Sequence, residues 1–310
     1  MLEGTDEGVD PITYQGYEQY VKKHVVPYFK PLNLRVTDIT PQILDKYRND
    51  KLKKGRLDGK GGLSPKSVKS HFIIIHLVLK KALKDRVIAY DLSIGVAMPK
   101  LEKFKGKFYS IQEVEQLLKA CADEPLKPVI MFTVYYGLRR SEALGIKWDA
   151  VDFENNTIEI KSTVVKCTKT VEKDKTKTES SHRFYPLLAD FKKVLLDIKK
   201  RQAQNKLLMG KSYVKTDYVF CWEDGRPFSP DYVSQRFQLI LKNNDLRKIR
   251  FHDLRHSTAS VLVSMGYNLK DIQEWLGHAD IKTTANIYAH LDMTRKNSLA
   301  ETLAKSIKVC

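Results

Sequence analysis

The sequence predicts a mostly α chain of the α+β class, with one small antiparallel β-sheet lodged among the helices of the second of two domains. Three observations predict it. Helical hydrophobic spacing with Ser/Thr-Pro starts fills residues 11–97. Alternation of β type, with an Asn-Asn turn, is confined to about residues 152–187. From about residue 189 to 310 the pattern is again mainly helical. A length of 310 residues and 42% hydrophobic content suit two domains with sizeable cores.

The elements follow in chain order. Residues 1–10, "MLEGTDEGVD", are acidic and contain glycine, so they read as a disordered lead-in or the start left by truncation of a longer protein, and not as a signal peptide. Residues 12–29 carry apolar and aromatic positions at helical spacing and stop near Pro31. Residues 39–55 open with Thr40 as N-cap and Pro41 at the first helical position, and close at Gly55. Residues 64–88 form a long helix with Ser64-Pro65 at its start, apolar nearly all round from Phe72 to Leu79, as at the centre of a small bundle. Residues 98–107 are polar, basic and punctuated by Gly and Pro, which marks a linker before a second domain at 108–310. That domain begins with a capping box, Ser110 and Glu113, and a buried helix, "LKPVIMFTVYY", stopped by Gly137.

Charge narrows the function. The chain carries 54 basic and 37 acidic residues, a formal +17. Residues 1–100 hold 18 and 11 of them, and the rest of the chain 36 and 26, so both parts are positive. A polyanion touched by both is the simplest reading, and a basic linker between two basic domains suits a clamp on a duplex. The four cysteines are far apart with no CxxC pair, which excludes zinc knuckles and a disulfide scaffold and fits reduced cytosolic thiols. No apolar run is long enough to span a bilayer, so no membrane partner is expected.

Five short stretches offer chemistry. In "YYGLRRSEALGIKW", Gly137 breaks a helix and Arg139 opens the next segment, with Glu142 three residues on to hold it. In "DKTKTESSHRFYPL", a lysine in a strand turn can reach a phosphate or give up a proton. In "FHDLRHSTAS", Leu254, Thr258, Val261 and Met265 form one helical face, and His252, Arg255 and His256 the other. A metal site there would pair His252 with His256, but the HExxH glutamate is missing and a guanidinium between the ligands repels a dication. In "DIQEWLGHAD", Gly277 ends a helix and His278 follows at once; in "KTTANIYAHLD", Tyr288 comes ten residues later. Taken singly, each stretch is equally at home as surface or packing.

Taken in order, "GLRRSE", a hairpin lysine, "HDLRH", "LGH" and "IY" resemble the tyrosine site-specific recombinases, or phage-type integrases, across both domains. The resemblance implies a helical core-binding domain at 11–97 that grips DNA, and a catalytic domain at 108–310. It matches Arg139 and Arg255 to the two active-site arginines, and Glu142 to the acidic residue that supports them from behind. Lys177 best matches the hairpin lysine, with Lys175 as the alternative. His252 belongs to the HxxR pair, His278 to the position of histidine or tryptophan, and Tyr288 to the nucleophile. His256 takes a supporting or phosphate-contact role. Two departures stand out: many members set the tyrosine nine residues after that histidine, not ten, and the 161–186 hairpin is long. Such a hairpin suits integrases of mobile elements from Gram-positive bacteria.

The chemistry fits these residue types. Attack on a phosphodiester builds negative charge on the non-bridging oxygens, which two planar guanidiniums can grip. A phenol has a pKa near ~10 and needs nearby cations and a proton acceptor such as His252. Lys177 is the candidate acid for the leaving 5′ hydroxyl. The resemblance implies a covalent 3′-phosphotyrosyl link and strand exchange without metal, ATP or cofactor. It also implies double-stranded DNA as partner and a homo-tetramer on that DNA. Leu299, Leu303 and Ile307 make an apolar stripe in a tail, residues 292–310, expected to dock on a neighbouring protomer. Accessory DNA-bending or excision factors are further candidate partners. A type IB topoisomerase shares the chemistry, and a catalytically silent DNA-binding regulator shares the fold. The small N-terminal domain and the tail favour recombination over the first, and the complete residue set argues against the second. A metal-dependent nuclease would want a carboxylate cluster that the sequence does not offer.

Overall fold

The computed structural model describes residues 11–101, 108–166, 170–173, 182–279 and 281. The chain divides into two compact units, Met1–Phe104 and Lys105–Cys310.

The first unit is helical. α1 (Pro11–Tyr20), a wide π turn (Val21–Val25) and α2 (Val26–Phe29) run on without leaving helical backbone angles. The wide turn lies just ahead of Pro27, which has no N–H to continue the ladder, so one predicted helix becomes two joined by a bulge. α3 (Pro41–Lys54) starts where the Thr40 hydroxyl accepts from the Ile43 N–H at 3.4 Å. α4 (Pro65–Lys84) starts where Ser64 accepts from the Ser67 N–H at 3.1 Å. The core joins Leu44 and Tyr47 of α3 to Val68, Phe72, Ile75 and Leu79 of α4. The middle of α4 is buried on one side only, since Ile73 and Leu77 are 47% and 49% exposed, against the expectation of an apolar run enclosed all round. His71 of α4 is buried, its Nδ1 2.9 Å from the Tyr47 hydroxyl and its ring 4.7 Å from that of His24. Burial first, then the neighbouring His24 and Lys51, push His71 down to about 4.

The second unit begins with α5 (Ile111–Ala120). Its capping box is closed by the Ser110 N–H on Glu113 at 2.8 Å and the Glu113 N–H on Ser110 at 3.3 Å. α6 (Lys127–Tyr136) is buried on most of its faces, with α7 (Arg140–Leu144) following. β1 (Val151–Asp152), β2 (Thr157–Ile160) and β5 (Arg183–Pro186) make an antiparallel sheet in the order β1-β2-β5. The β1–β2 turn is fixed by Asp152, which accepts from the N–H groups of Glu154 and Asn155, and by Asn156 at φ 52°. β3 (Thr163–Lys166) and β4 (Thr170–Lys173) form a separate antiparallel hairpin. Long α8 (Ala189–Met209), α9 (Pro230–Asn243), α10 (Asp253–Ser264) and α11 (Leu269–Leu276) follow. The core centres on Phe132, whose ring lies 5.0 Å from Phe191 and 5.4 Å from Phe220. Among the described residues no helix is long and apolar enough to cross a membrane.

Candidate active site

The site is built where two helices end on glycine. α6 stops at Gly137 and α11 at Gly277, with φ of 61° and 63°, the left-handed angles that only glycine adopts without cost. At Gly137 a Cβ would lie 2.2 Å from Cδ2 of Leu276, so the missing side chain also lets the end of α6 touch α11. Each terminal carbonyl then holds an arginine. Gly137 accepts from Nη1 of Arg255 at 2.7 Å, and Gly277 accepts from Nη2 of Arg139 at 3.1 Å.

Glu142 lies between these arginines and is 1% exposed. It caps α7 by accepting from the Arg139 N–H (2.8 Å) and pairs with Nη1 of Arg139 (2.5 Å). Arg255 Nη1 is 3.8 Å away, an ion pair but not a hydrogen bond. A third guanidinium joins them: Arg183 of β5 sets Nη2 2.8 Å from Glu142. Desolvation alone would raise the Glu142 carboxyl, but Arg183, Arg139 and Arg255 outweigh it and hold it near 2, so it stays ionised.

Arg255 is among the largest fully buried side chains, at 1% exposure, so the face it shares with two histidines is not ordinary surface. Its Nε donates to Nε2 of His278 at 3.2 Å, which places the His278 proton on Nδ1. Among the described residues its Nη2 has no hydrogen-bond partner. Burial and the charge of Arg139 push Arg255 down to about 9, so it remains charged at neutral pH. His278 is 7% exposed and fastened by backbone: its N–H donates to Gln273 O (3.0 Å) and its carbonyl accepts from the Gln273 side chain (2.9 Å). Burial and the two arginines push it down to about 3, so it is neutral. His252 takes the N-cap position of α10 and keeps an exposed edge; its ring stands 5.2 Å from His256 at nearly a right angle. Burial of the rest of its ring, then His256 and Arg255, lower its pKa. His256 has a buried Nδ1 with no partner among the described residues.

Six of the eight residues named from the sequence are thus placed: Arg139 with Glu142 and Arg255 with His278 as two hydrogen-bonded pairs joined by the 3.8 Å Arg255–Glu142 ion pair, and His252 and His256 at the start of α10. Lys177, its alternative Lys175, and Tyr288 lie outside the described residues, as does the 292–310 tail. Met265, expected on the apolar face of α10, is 60% exposed, because the helix has already ended at Ser264. Sequence reasoning missed Arg183. The available signal was its parity with the inward Tyr185 along β5, obscured by Phe184, which points outward and is 62% exposed.

A cradle of guanidiniums with an unused buried donor is chemistry for an oxyanion. Comparison with known proteins decides the family: the phage integrase family model matches residues 107–295, and its N-terminal SAM-like domain model matches residues 2–52. The chain belongs to the phage integrase family. It is an enzyme of site-specific DNA recombination, of the tyrosine recombinase type. A XerC-like tyrosine recombinase of Caldanaerobacter subterraneus subsp. tengcongensis is 26% identical over 94% of this chain and 76% of its own length. The ICEBs1 integrase of Bacillus subtilis strain 168 is 25% identical over 94% of this chain and 77% of its own. The fold is like that of the Tn1549 transposon integrase, solved with transposon right-end DNA, at a TM-score of 0.76, 19% identity and 96% coverage of both chains. The mostly α fold with its small antiparallel sheet, expected from the sequence, is that of these recombinases.

Proposed function

We propose that this family member integrates and excises a mobile DNA element, and that its chemistry is centred on one backbone phosphate gripped by Arg139 and Arg255. The observation that carries the reading is Nη2 of buried Arg255, which has no partner among the described residues and lies beside a carboxylate that already orders Arg139. A donor kept dry and unused is poised for a ligand, since leaving it so costs about 1–3 kcal/mol. A non-bridging phosphate oxygen is the acceptor that fits a guanidinium fork.

In this reading the Tyr288 hydroxyl attacks phosphorus and its proton passes to His252, kept neutral by its surroundings. The P–O5′ bond breaks, the 5′ oxygen takes a proton from Lys177 (or Lys175), and a 3′-phosphotyrosyl ester remains. An incoming 5′ hydroxyl reverses the steps on a new strand. Neutral His278 accepts from Arg255 and orients it toward the phosphate. Glu142 and His256 support the site from behind. The partner is double-stranded DNA, which the charge of +17 suits, and assembly is a tetramer on DNA coupled through residues 292–310, with bending or excision factors as accessories. The place of work is the bacterial cytoplasm, on the nucleoid. Likeness to the ICEBs1 integrase supports element mobility.

The test is a nicked suicide duplex carrying a candidate element end, incubated without metal. A denaturation-resistant protein–DNA adduct, absent in Tyr288→Phe and mapped to a 3′ phosphate at the element boundary, is the expected result. An adduct that survives Tyr288→Phe, or cutting that needs magnesium and leaves no adduct, overturns the reading.

A further inference from the structure

Among the described residues, Glu142 is within 4 Å of three guanidiniums and makes hydrogen bonds to two of them. Both of its oxygens are engaged: Oε1 by Nη1 of Arg139 (2.5 Å) and Nη1 of Arg183 (3.4 Å), Oε2 by the Arg139 N–H and Nη2 of Arg183 (2.8 Å each). Arg255 stands off, its Nη1 3.8 Å away and already donating to Gly137, although it is as buried as the carboxylate and its Nη2 has no partner among the described residues. In a dry site a carboxylate so close to an unsatisfied guanidinium closes on it unless something else holds the carboxylate. Arg183 is built to do so. Its side chain is 9% exposed, its Nε donates to the Tyr185 hydroxyl at 2.6 Å, and its guanidinium lies 5.3 Å from the centre of the Tyr185 ring. The Tyr185 hydroxyl is in turn bonded to the backbone carbonyls of Tyr136 and Trp275, at the ends of α6 and α11.

We propose that Arg183 is a positioning residue for strand cleavage: by competing for Glu142 it keeps that carboxylate from capturing Arg255, and so keeps Arg255 available to the scissile phosphate. This rests on the proposed role of Arg255 above. Three guanidiniums lie within 4 Å of Glu142, and the hydrogen bonds that Arg139 and Arg183 make to it leave Arg255 the outer one of the three. Removing Arg183 frees Oε2 to move onto Arg255, and Glu142 turns from a support into an inhibitor.

The inference predicts an unusual genetic pattern. Arg183→Gln slows single-turnover adduct formation on the suicide duplex by at least about tenfold, with non-covalent DNA affinity within about twofold of the parent. Arg183→Lys, which keeps a charge but not the fork, falls between them. The second substitution Glu142→Gln, made in the R183Q chain, restores part of the lost rate, because the amide no longer holds Arg255. A residue that merely stiffens the fold predicts the opposite, with the double variant slower than R183Q. Wild-type cleavage in R183Q, or a double variant no faster than R183Q at matched thermal melting, overturns the inference. Adduct formation by the unmodified chain reports on the proposed function, so the two readings fail separately.

Discussion

At the scale of single residues, the proposed phosphate grip depends on a guanidinium that fits and not on charge alone. Arg255 uses Nη1 on Gly137 and Nε on His278 while Nη2 waits. A lysine supplies one point charge and cannot hold both partners while reaching a phosphate. Arg255→Lys is expected to lower single-turnover cleavage on the order of a hundredfold. A rate within threefold or so of the parent would show that the fork is not used. A second residue-scale prediction concerns His71. Its pKa in the folded chain, about 4, lies below the ordinary 6.5, so as pH falls the unfolded chain takes up the proton first. Stability from His71 is complete above pH 6.5 and is lost as pH falls toward 4. Between pH 7 and 5 the loss is about 2 kcal/mol. Urea midpoints at the two pH values, read by hydrogen exchange on α3 and α4, should diverge in the parent and draw together in His71→Gln. Legibility at this scale was uneven. Arg139, Arg255 and His278 were visible because short ordered motifs surround them. Arg183 was not, because Phe184 and Tyr185 stand side by side and local hydrophobicity does not say which faces in.

At the scale of elements, the helix stops matter more than the helices. Gly137 combines a left-handed φ with a 2.2 Å approach to Leu276, so a methyl group is opposed twice there. Gly137→Ala is expected to cost about 1–3 kcal/mol of stability, chiefly from strain and collision, and to displace the carbonyl that holds Arg255. Leu276→Ala in that background should recover part of the melting temperature, since it removes the collision but not the strain; no recovery would place the whole cost in the backbone. Caps and stops were legible because they are local chemistry: Thr40, Ser64, Ser110 and Gly277 each act where the sequence put them. The π turn before Pro27 and the open side of α4 at Ile73 and Leu77 were not, since the first depends on how the chain accommodates a lost hydrogen bond and the second on what packs alongside.

At the scale of the whole molecule, the +17 charge makes affinity for a duplex strongly dependent on salt. A plot of log affinity against log salt should fall with a slope steeper than about −5, the release expected when roughly six or more phosphates are neutralised. A slope shallower than about −2 would mean that the positive charge is not spent on the duplex. The fold class was legible because helical and β periodicities occupy separate stretches of chain. How Arg139 reaches Gly277 and Arg255 reaches Gly137 was not, because those bonds join residues 138 and 118 positions apart. In the proposed reading, their crosswise arrangement couples phosphate binding to rigidity. The carbonyl ending α6 restrains the arginine from α10, while the carbonyl ending α11 restrains the arginine preceding α7. Fraying of α11 would loosen Arg139 directly, and Arg255 through His278, at the same moment. Conversely, an oxyanion seated between the two guanidiniums would pin the last turn of α11 from a distance, and its slowest-exchanging amides should become slower still as inorganic phosphate or vanadate is titrated in.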